Sequence, residues 1–409
     1  VSEPGVVIVG AGHAGGSAAA FLRQYGYEGS ITLVGEETLA PYQRPPLSKA
    51  WLKGEADAEA LMLRPESFYA ENDIVLRLGA RVERIDRDRR SVTLGGGATL
   101  PYATLILATG ARARNIPLPG LDLGGVQALR TAADADKLKA ALGRGKRLVV
   151  IGGGYIGLEA AASARALGAE VVVIEREPRV LARVACEALS SFFQDYHRRH
   201  GVHFILGAEV EGIVGGDGRA AAVKLAGGAL VEADAFLVGV GAAPNQELGG
   251  DAGLHCNDGI VVDLAARTSD PVVFAIGDCT RRPMPIYGGR MHRLESVPNA
   301  LEQAKQAAAA IAGRPPPAGE TPWFWSDQYD LKLQIAGLPF DAAHTVIRGE
   351  LAAARFAVFH LDAEHRVQAV EAVNAPAEFM AGRLLIGQRK AVAPDKLRDM
   401  SVSMKEVAV

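Results

Sequence analysis

Cysteine is scarce in this chain, with only Cys186, Cys256 and Cys279 among 409 residues. Odd in number and far apart, they form no CxxC or CxxxxC pair and no metal-ligand spacing. That excludes a disulfide scaffold and a zinc ribbon, and makes a reducing cytoplasm the expected compartment, with each thiol buried or incidental. A strong charge of one sign is also missing: 44 Lys and Arg stand against 47 Asp and Glu, for a net charge of −3. Nothing global therefore points to nucleic acid or an anionic membrane, and an acidic partner would need a local basic patch. Long apolar runs are absent too, since no stretch approaches the roughly 20 residues needed to cross a bilayer. Val6 to Val9 is a short strand-like run without the cationic flank or cleavage site of a signal peptide.

Glycine, by contrast, is plentiful. The 47 glycines gather in turns at 10–16, 95–97 and 152–157, where the average chain carries roughly 7% overall. The hydrophobic fraction of 49% suits a globular protein with a sizeable core, and the length suggests two or three domains of about 150 residues each.

Two of the glycine turns have the same grammar. Gly10-Ala11-Gly12-His13-Ala14-Gly15 follows the apolar run Val6 to Val9, and Gly152-Gly153-Gly154-Tyr155-Ile156-Gly157 follows Leu148 to Ile151. Each opens an Ala-rich helical stretch, and each is followed by a second apolar strand ending in a carboxylate, Glu36 or Glu175. This is the dinucleotide-binding fingerprint. Its first glycine permits the tight turn, its second lets backbone approach a pyrophosphate, and its third lets helix pack on strand. The helix N-terminus presents free N–H groups to the phosphates, and the carboxylate accepts from a ribose. A single GxGxxG is a weak signal, but a repeated strand, turn, helix, strand and acid is a strong one. Two dinucleotides in one chain imply electron transfer between them.

The two sites are expected to differ. Glu175 favours a free ribose 2′-hydroxyl over a 2′-phosphate, hence NADH, although the adjacent Arg176 could neutralise a phosphate. The first site adjoins a basic, proline-rich loop, Pro41-Tyr42-Gln43-Arg44-Pro45-Pro46-Leu47-Ser48-Lys49, and suits a tightly held FAD. Further glycine turns close apolar strands at Thr109-Gly110, Gly241 and Gly277-Asp278 and add candidate cofactor contacts. Segments 81–94 and 98–109 read as strands, as do Lys332 to Ala336, Thr345 to Arg348, Ala354 to His360 and Val367 to Val373. Pro117 to Gly120 and the Pro-rich Arg314 to Pro322 read as linkers. The expected organisation is an FAD-binding domain split over 1–112 and 243–322, an NAD-binding domain over 113–242, and a C-terminal domain over 323–409.

Arg44-Pro45-Pro46-Leu47-Ser48-Lys49, Ala108-Thr109-Gly110, Gly153-Gly154-Tyr155-Ile156-Gly157-Leu158-Glu159, Ala275-Ile276-Gly277-Asp278-Cys279 and Glu295-Ser296-Val297-Pro298-Asn299-Ala300 occur in this order. With Pro322-Trp323-Phe324-Trp325-Ser326-Asp327-Gln328, they extend over nearly the whole chain, which resembles the FAD-dependent NADH:ferredoxin reductases of bacterial oxygenase systems. Most of these pieces recur across flavin–nicotinamide reductases, whereas PWFWSDQ is much more restricted. The resemblance implies an α/β fold of the glutathione-reductase-like flavoprotein type, with two Rossmann-like domains and an α+β interface domain. It implies that Gly12, Ala14, Glu36, Arg44, Lys49, Val82, Arg130, Asp278 and Val297 hold FAD. Read from sequence alone, Val82 is a plain strand-core residue and Arg130 equally a surface arginine, while His13 lines the turn. The reaction implied is hydride transfer from NADH to the flavin, followed by single-electron transfer to a 2Fe-2S ferredoxin serving an oxygenase, by analogy a haem-thiolate monooxygenase.

Three residues are the candidates for catalytic roles. Related flavoenzymes pair a lysine and a glutamate placed like Lys49 and Glu159 beside the flavin N5, where a cation stabilises negative charge on the reduced ring. Trp325 is a candidate for the electron exit, or else a core anchor for the last domain. Arg290, Arg293, Lys305 and Lys405 are possible members of a basic docking patch, each equally a solvated surface charge. Two other readings stay open: an NADH oxidase or peroxidase, although Cys186 is the nearest cysteine to the 41–49 loop, and a flavin-based redox sensor akin to apoptosis-inducing-factor relatives. A disulfide reductase would need a cysteine pair in that loop, which has none.

Overall fold

A computed structural model describes residues 4–409, which divide into two compact units. The first comprises the described residues through Gln43, together with Ala58–Arg112 and Ala243–Phe324. Its centre is a five-stranded parallel sheet in the order Val273–Ala275, Thr104–Leu107, Val6–Val9, Ile31–Val34, Ile74–Arg77. The fingerprint strand Val6–Val9 is central and fully buried, which is why it reads as a continuous apolar run rather than an alternating one. Strand order reverses beside it, and ligands bind at such switch points, outside the carboxyl ends of the strands. Helix His13–Gln24 leaves that point and packs on helix Val297–Ile311. Ala14 and Ala18 share a buried core with Ala300, Ala304, Ala307 and Ala308, small side chains that let two backbones approach closely. Two smaller three-stranded sheets accompany the parallel one, Val82–Asp86 with Ser91–Leu94 and Thr99–Pro101, and Ile260–Val261 with Thr280–Met284 and Arg290–His292.

The second unit comprises Arg44–Asp57, Ala113–Ala242 and Trp325–Val409. It repeats the plan: a five-stranded parallel sheet ordered Val202–Leu206, Glu170–Glu175, Arg147–Ile151, Ala235–Val238, Val126–Gln127, again with the fingerprint strand in the middle. It too has a three-stranded antiparallel sheet, Val210–Gly216, Arg219–Leu225 and Leu230–Glu232. Residues 44–57, which the sequence reading keeps with the first domain, group here for a packing reason. Helix Ala50–Lys53 rests on helices Ala132–Ala141 and Tyr155–Ala166, and Leu52 joins a core with Leu138, Ala160, Ala161 and Ala164. The chain ends in a five-stranded antiparallel sheet ordered Trp323–Gln328, Leu331–Gly337, Val367–Val373, Arg355–Leu361, His344–Glu350. Helix Pro376–Gln388 packs on strand Val367–Val373, where Gly382 clears Val370.

Candidate dinucleotide sites and a buried carboxylate cluster

The two fingerprints have the same atomic logic. Gly10 has φ +113° and Gly152 φ +105°, a region that side chains avoid, and a Cβ there would lie 2.1 Å from Ala108 O or 2.4 Å from Gly239 O. A Cβ on Gly15 would lie 1.9 Å from Gly10 O, and one on Gly157 2.3 Å from Gly152 O. The middle glycines differ: Gly12 and Gly154 have extended backbone, and a Cβ on either meets no atom within 4 Å. Four glycines are therefore explained by the fold, and two only by something that must come close. Each middle glycine is the N-cap of its helix without a side-chain cap, so the first N–H groups face that open space. This is the geometry a pyrophosphate requires, and both sites fit a dinucleotide.

Around the first fingerprint, Gly277 turns at φ +79° against Ala14 and donates its N–H to Gln303 Oε1 at 2.8 Å. Thr280 Oγ1 donates to the same oxygen, so the turn carrying the half-buried Asp278 is anchored from helix Val297–Ile311. Val297 opens that helix, capped by Ser296, which accepts from Asn299 N. Thr109 Oγ1 donates to Asn245 O at 2.6 Å ahead of Gly110, φ +66°. Glu36 is exposed and paired with Arg81 at 3.3 Å, whereas Val82 is a buried core residue beside Val7 and Val9. His13 Nδ1 is buried without a partner, and its imidazole pKa is lowered first by burial and then by Arg64.

Around the second fingerprint, Glu175 turns back onto the loop, its Oε2 accepting from Gly153 N at 2.6 Å and its Oε1 from Glu177 N at 2.9 Å. Each oxygen keeps a second lone pair. Arg176 points to Glu177 rather than to Glu175. Ile156 stays 47% exposed at the helix start beside the half-buried Tyr155, apolar surface next to the open space at Gly154, and Gly241 is exposed at φ +106°.

Lys49 and Glu159, 110 residues apart, form an ion pair of 2.7 Å. Pro45, the first residue of a short 3-10 turn, offers its carbonyl to Lys49 Nζ at 3.2 Å, so two of three ammonium N–H groups are used. Beside this turn, Arg44 Nη1 donates to Arg130 O at 2.6 Å. Glu159 is only 3% exposed, and two hydroxyls complete its shell: Ser48 donates to Oε2 at 2.5 Å and Ser326 to Oε1 at 2.6 Å. Sequence reasoning missed both serines, although they adjoin Lys49 and Trp325. On strand Trp323–Gln328 side chains alternate, so a buried Ser326 puts the half-buried Trp325 on the opposite face.

From Ser326 a single-file hydrogen-bond chain continues. Gln328 Nε2 donates to Ser326 Oγ at 3.1 Å, and Gln328 Oε1 lies 2.7 Å from His197 Nε2. An amide oxygen only accepts, so His197 carries its proton on Nε2, and Nδ1 accepts from Tyr329 O–H at 3.3 Å. Every donor thus points the same way, from Tyr329 to Glu159. Burial holds the His197 imidazole neutral, its pKa pushed down to about 4. The unfolded chain, with an ordinary histidine, binds the proton first, so the stabilisation is complete above about pH 6.5 and is lost as pH falls towards 4. Between pH 7 and 5 this group should remove about 2 kcal/mol of stability. Urea unfolding of His197→Gln should show that much less pH dependence than the parent; identical pH profiles would refute the assignment.

Of the basic residues considered for docking, Arg290 and Lys405 are exposed. Lys305 lies 5.7 Å from the Phe21 ring. Arg293 is 14% exposed and paired with Asp258 and Glu295, so its charge is already answered. All three cysteines are free: Cys279 is buried, and Cys186 and Cys256 half-buried.

The comparisons with known proteins match this plan. Residues 4–304 fit the model of the pyridine nucleotide-disulphide oxidoreductases, and residues 323–408 that of the reductase C-terminal domain. A probable ferredoxin reductase of Castellaniella defragrans is 51% identical, covering 99% of this chain and 98% of its own length. Rhodocoxin reductase of Rhodococcus erythropolis is 44% identical, covering 98% and 93%. The reductase in a solved covalent putidaredoxin reductase–putidaredoxin complex superposes with a TM-score of 0.95 at 43% identity, covering 100% of this chain and 98% of that one. The chain therefore belongs to the pyridine nucleotide-disulphide oxidoreductase family, among its ferredoxin reductases.

Proposed function

We propose that this protein carries electrons from NADH through FAD to a 2Fe-2S ferredoxin that serves an oxygenase, a haem-thiolate monooxygenase in the best-supported reading. The observation that carries it is the doubled fingerprint with two glycines explained only by bound dinucleotides, in a chain with no cysteine pair to receive the electrons. FAD sits at Gly10–Gly15 and NADH at Gly152–Gly157. When bound, FAD supplies the conversion of a two-electron hydride donor into single electrons. The chain's own part is to bind and orient. The turns at Gly12, Thr109, Gly110 and Gly277 with Asp278 hold the first nucleotide. Gly154, Ile156 and Glu175 hold the second. Lys49, fixed by Glu159 and Pro45, keeps one N–H free for a bound group.

The oxidase or peroxidase alternative commonly uses a reactive thiolate near the flavin loop. Cys186 is unsuited, because burial and the neighbouring Glu371 push its thiol up to about 12. Cys279 is shifted the same way by burial. The free thiols fit a reducing cytoplasm as the place of work.

Cytochrome c reduction with NADH, with and without a 2Fe-2S ferredoxin, tests the function. A large ferredoxin-dependent rate is expected, falling as ionic strength rises if the ferredoxin docks electrostatically. Oxygen or peroxide consumption without ferredoxin would establish the oxidase instead, and flavin bleaching without turnover the sensor.

A further inference from the structure

One side-chain cluster in the second unit has no part in the dinucleotide turns, although its Glu371 and Cys186 lie near enough to Tyr155 to add to burial in raising the phenol pKa. Cys186 stands at the N-cap of helix Glu187–Arg199 without a side-chain capping bond, and its backbone N–H donates to Glu371 Oε1 at 3.1 Å. Glu371 lies opposite Val358 in the C-terminal sheet, and His360, two residues on from Val358, projects from the same face. His360 Nε2 is 3.3 Å from Glu371 Oε2. One ligand atom from each of Cys186, His360 and Glu371 lies within 4.8 Å of the others.

Two independent features show that this cluster is incomplete as it stands. His360 is only 6% exposed, and its Nε2 has no hydrogen-bond partner despite its approach to Glu371. A buried nitrogen left this way costs roughly 1–3 kcal/mol. Among the described residues, moreover, no Lys or Arg forms an ion pair with the buried Glu371. The carboxylate instead accepts hydrogen bonds from the Cys186 backbone N–H and thiol, so an entering cation meets no competing Lys or Arg.

We propose that Cys186, His360 and Glu371 form a binding site for a borderline divalent cation of the zinc class. A thiolate, an imidazole and a carboxylate are the donors such an ion takes. Bonds of about 2.0–2.3 Å place tetrahedral ligand atoms roughly 3.3–3.8 Å apart, so small side-chain rotations close the cluster. The cation replaces the thiol proton, which leaves to solvent, while the sulfur lone pair forms the new bond. A fourth position is left for water. Cys186 also lines a cavity of about 470 Å³, with Ser191, Thr345 and Val358 on its wall, which supplies the entry path. Occupancy would tie the start of helix Glu187–Arg199 to the C-terminal sheet.

The test uses the flavin-loaded, tag-free full chain, titrated with Co²⁺ and then Zn²⁺ under anaerobic conditions. We expect one equivalent of Co²⁺ with tetrahedral visible bands, displaced by Zn²⁺, and one sulfur scatterer at about 2.3 Å in cobalt X-ray absorption. Cys186→Ser should remove the sulfur scatterer. His360→Gln should weaken Co²⁺ binding about tenfold or more. Both variants should keep their flavin and its reduction by NADH, which shows that they are folded. Failure of the parent protein to bind an equivalent of Co²⁺ would overturn the site. So would sulfur ligation that survives Cys186→Ser, or undiminished affinity in His360→Gln.

Discussion

Gly12→Val should yield a folded, colourless protein, and Gly154→Val a yellow one that NADH scarcely reduces. Both positions have extended backbone that any residue adopts, and neither Cβ meets an atom within 4 Å. The protein alone therefore tolerates the change. The added isopropyl group occupies the space through which a pyrophosphate meets the helix N-terminus, and affinity should fall ~100-fold or more, about 3 kcal/mol. The pair also tests which nucleotide sits where, because exchanged phenotypes would reverse the assignment. Gly15→Ala is the contrasting case: its Cβ would overlap Gly10 O at 1.9 Å, so it should cost the fold itself. Flavin absorbance, circular dichroism and NADH titration separate these outcomes. Full flavin occupancy in Gly12→Val would refute the first site.

Lys49→Met should slow flavin reduction by NADH at least ~10-fold in stopped flow, through loss of a positioned cation. It should also destabilise the protein by about 3–5 kcal/mol, because Glu159 would remain buried with only the Ser48 and Ser326 hydroxyls as partners. These effects can be separated. The double variant Lys49→Met with Glu159→Gln removes the stranded charge, so stability should return while the rate does not. The flavin potential should fall in both variants, which a purely structural role would not produce. An unchanged reduction rate in Lys49→Met would end the catalytic assignment.

How much of this was legible in the sequence depends on how far apart the partners lie. The fingerprints were readable because their constraints are local: Gly10 answers to the turn it occupies, and Gly15 to Gly10, five residues away. Strands such as Val6–Val9, Thr104–Leu107 and Arg147–Ile151 were readable from their apolar runs, and four C-terminal strands from alternation, whereas the outer strands Ile74–Arg77 and Val202–Leu206 were not read. Lys49 and Glu159 could be paired only through resemblance, since nothing within either segment signals a partner 110 residues distant. Ser48 and Ser326 carried no signal at all, because a serine beside a notable residue looks like any other serine. The grouping of 44–57 with the second unit was hidden for a related reason: Leu52 is one leucine among many until Leu138 and Ala160 are seen around it.

The sequence by itself thus determined the two dinucleotide fingerprints, the lack of a cysteine pair in the 41–49 loop, and the strands that lead into each fingerprint, since each follows from short-range geometry and composition. The tertiary structure alone decided what surrounds Glu159, how a one-way hydrogen-bond chain reaches it from Tyr329, and that Cys186 meets His360 and Glu371. Most of those contacts join residues more than 100 positions apart. They come from how sheets and helices stack, and a linear pattern holds no record of that distance.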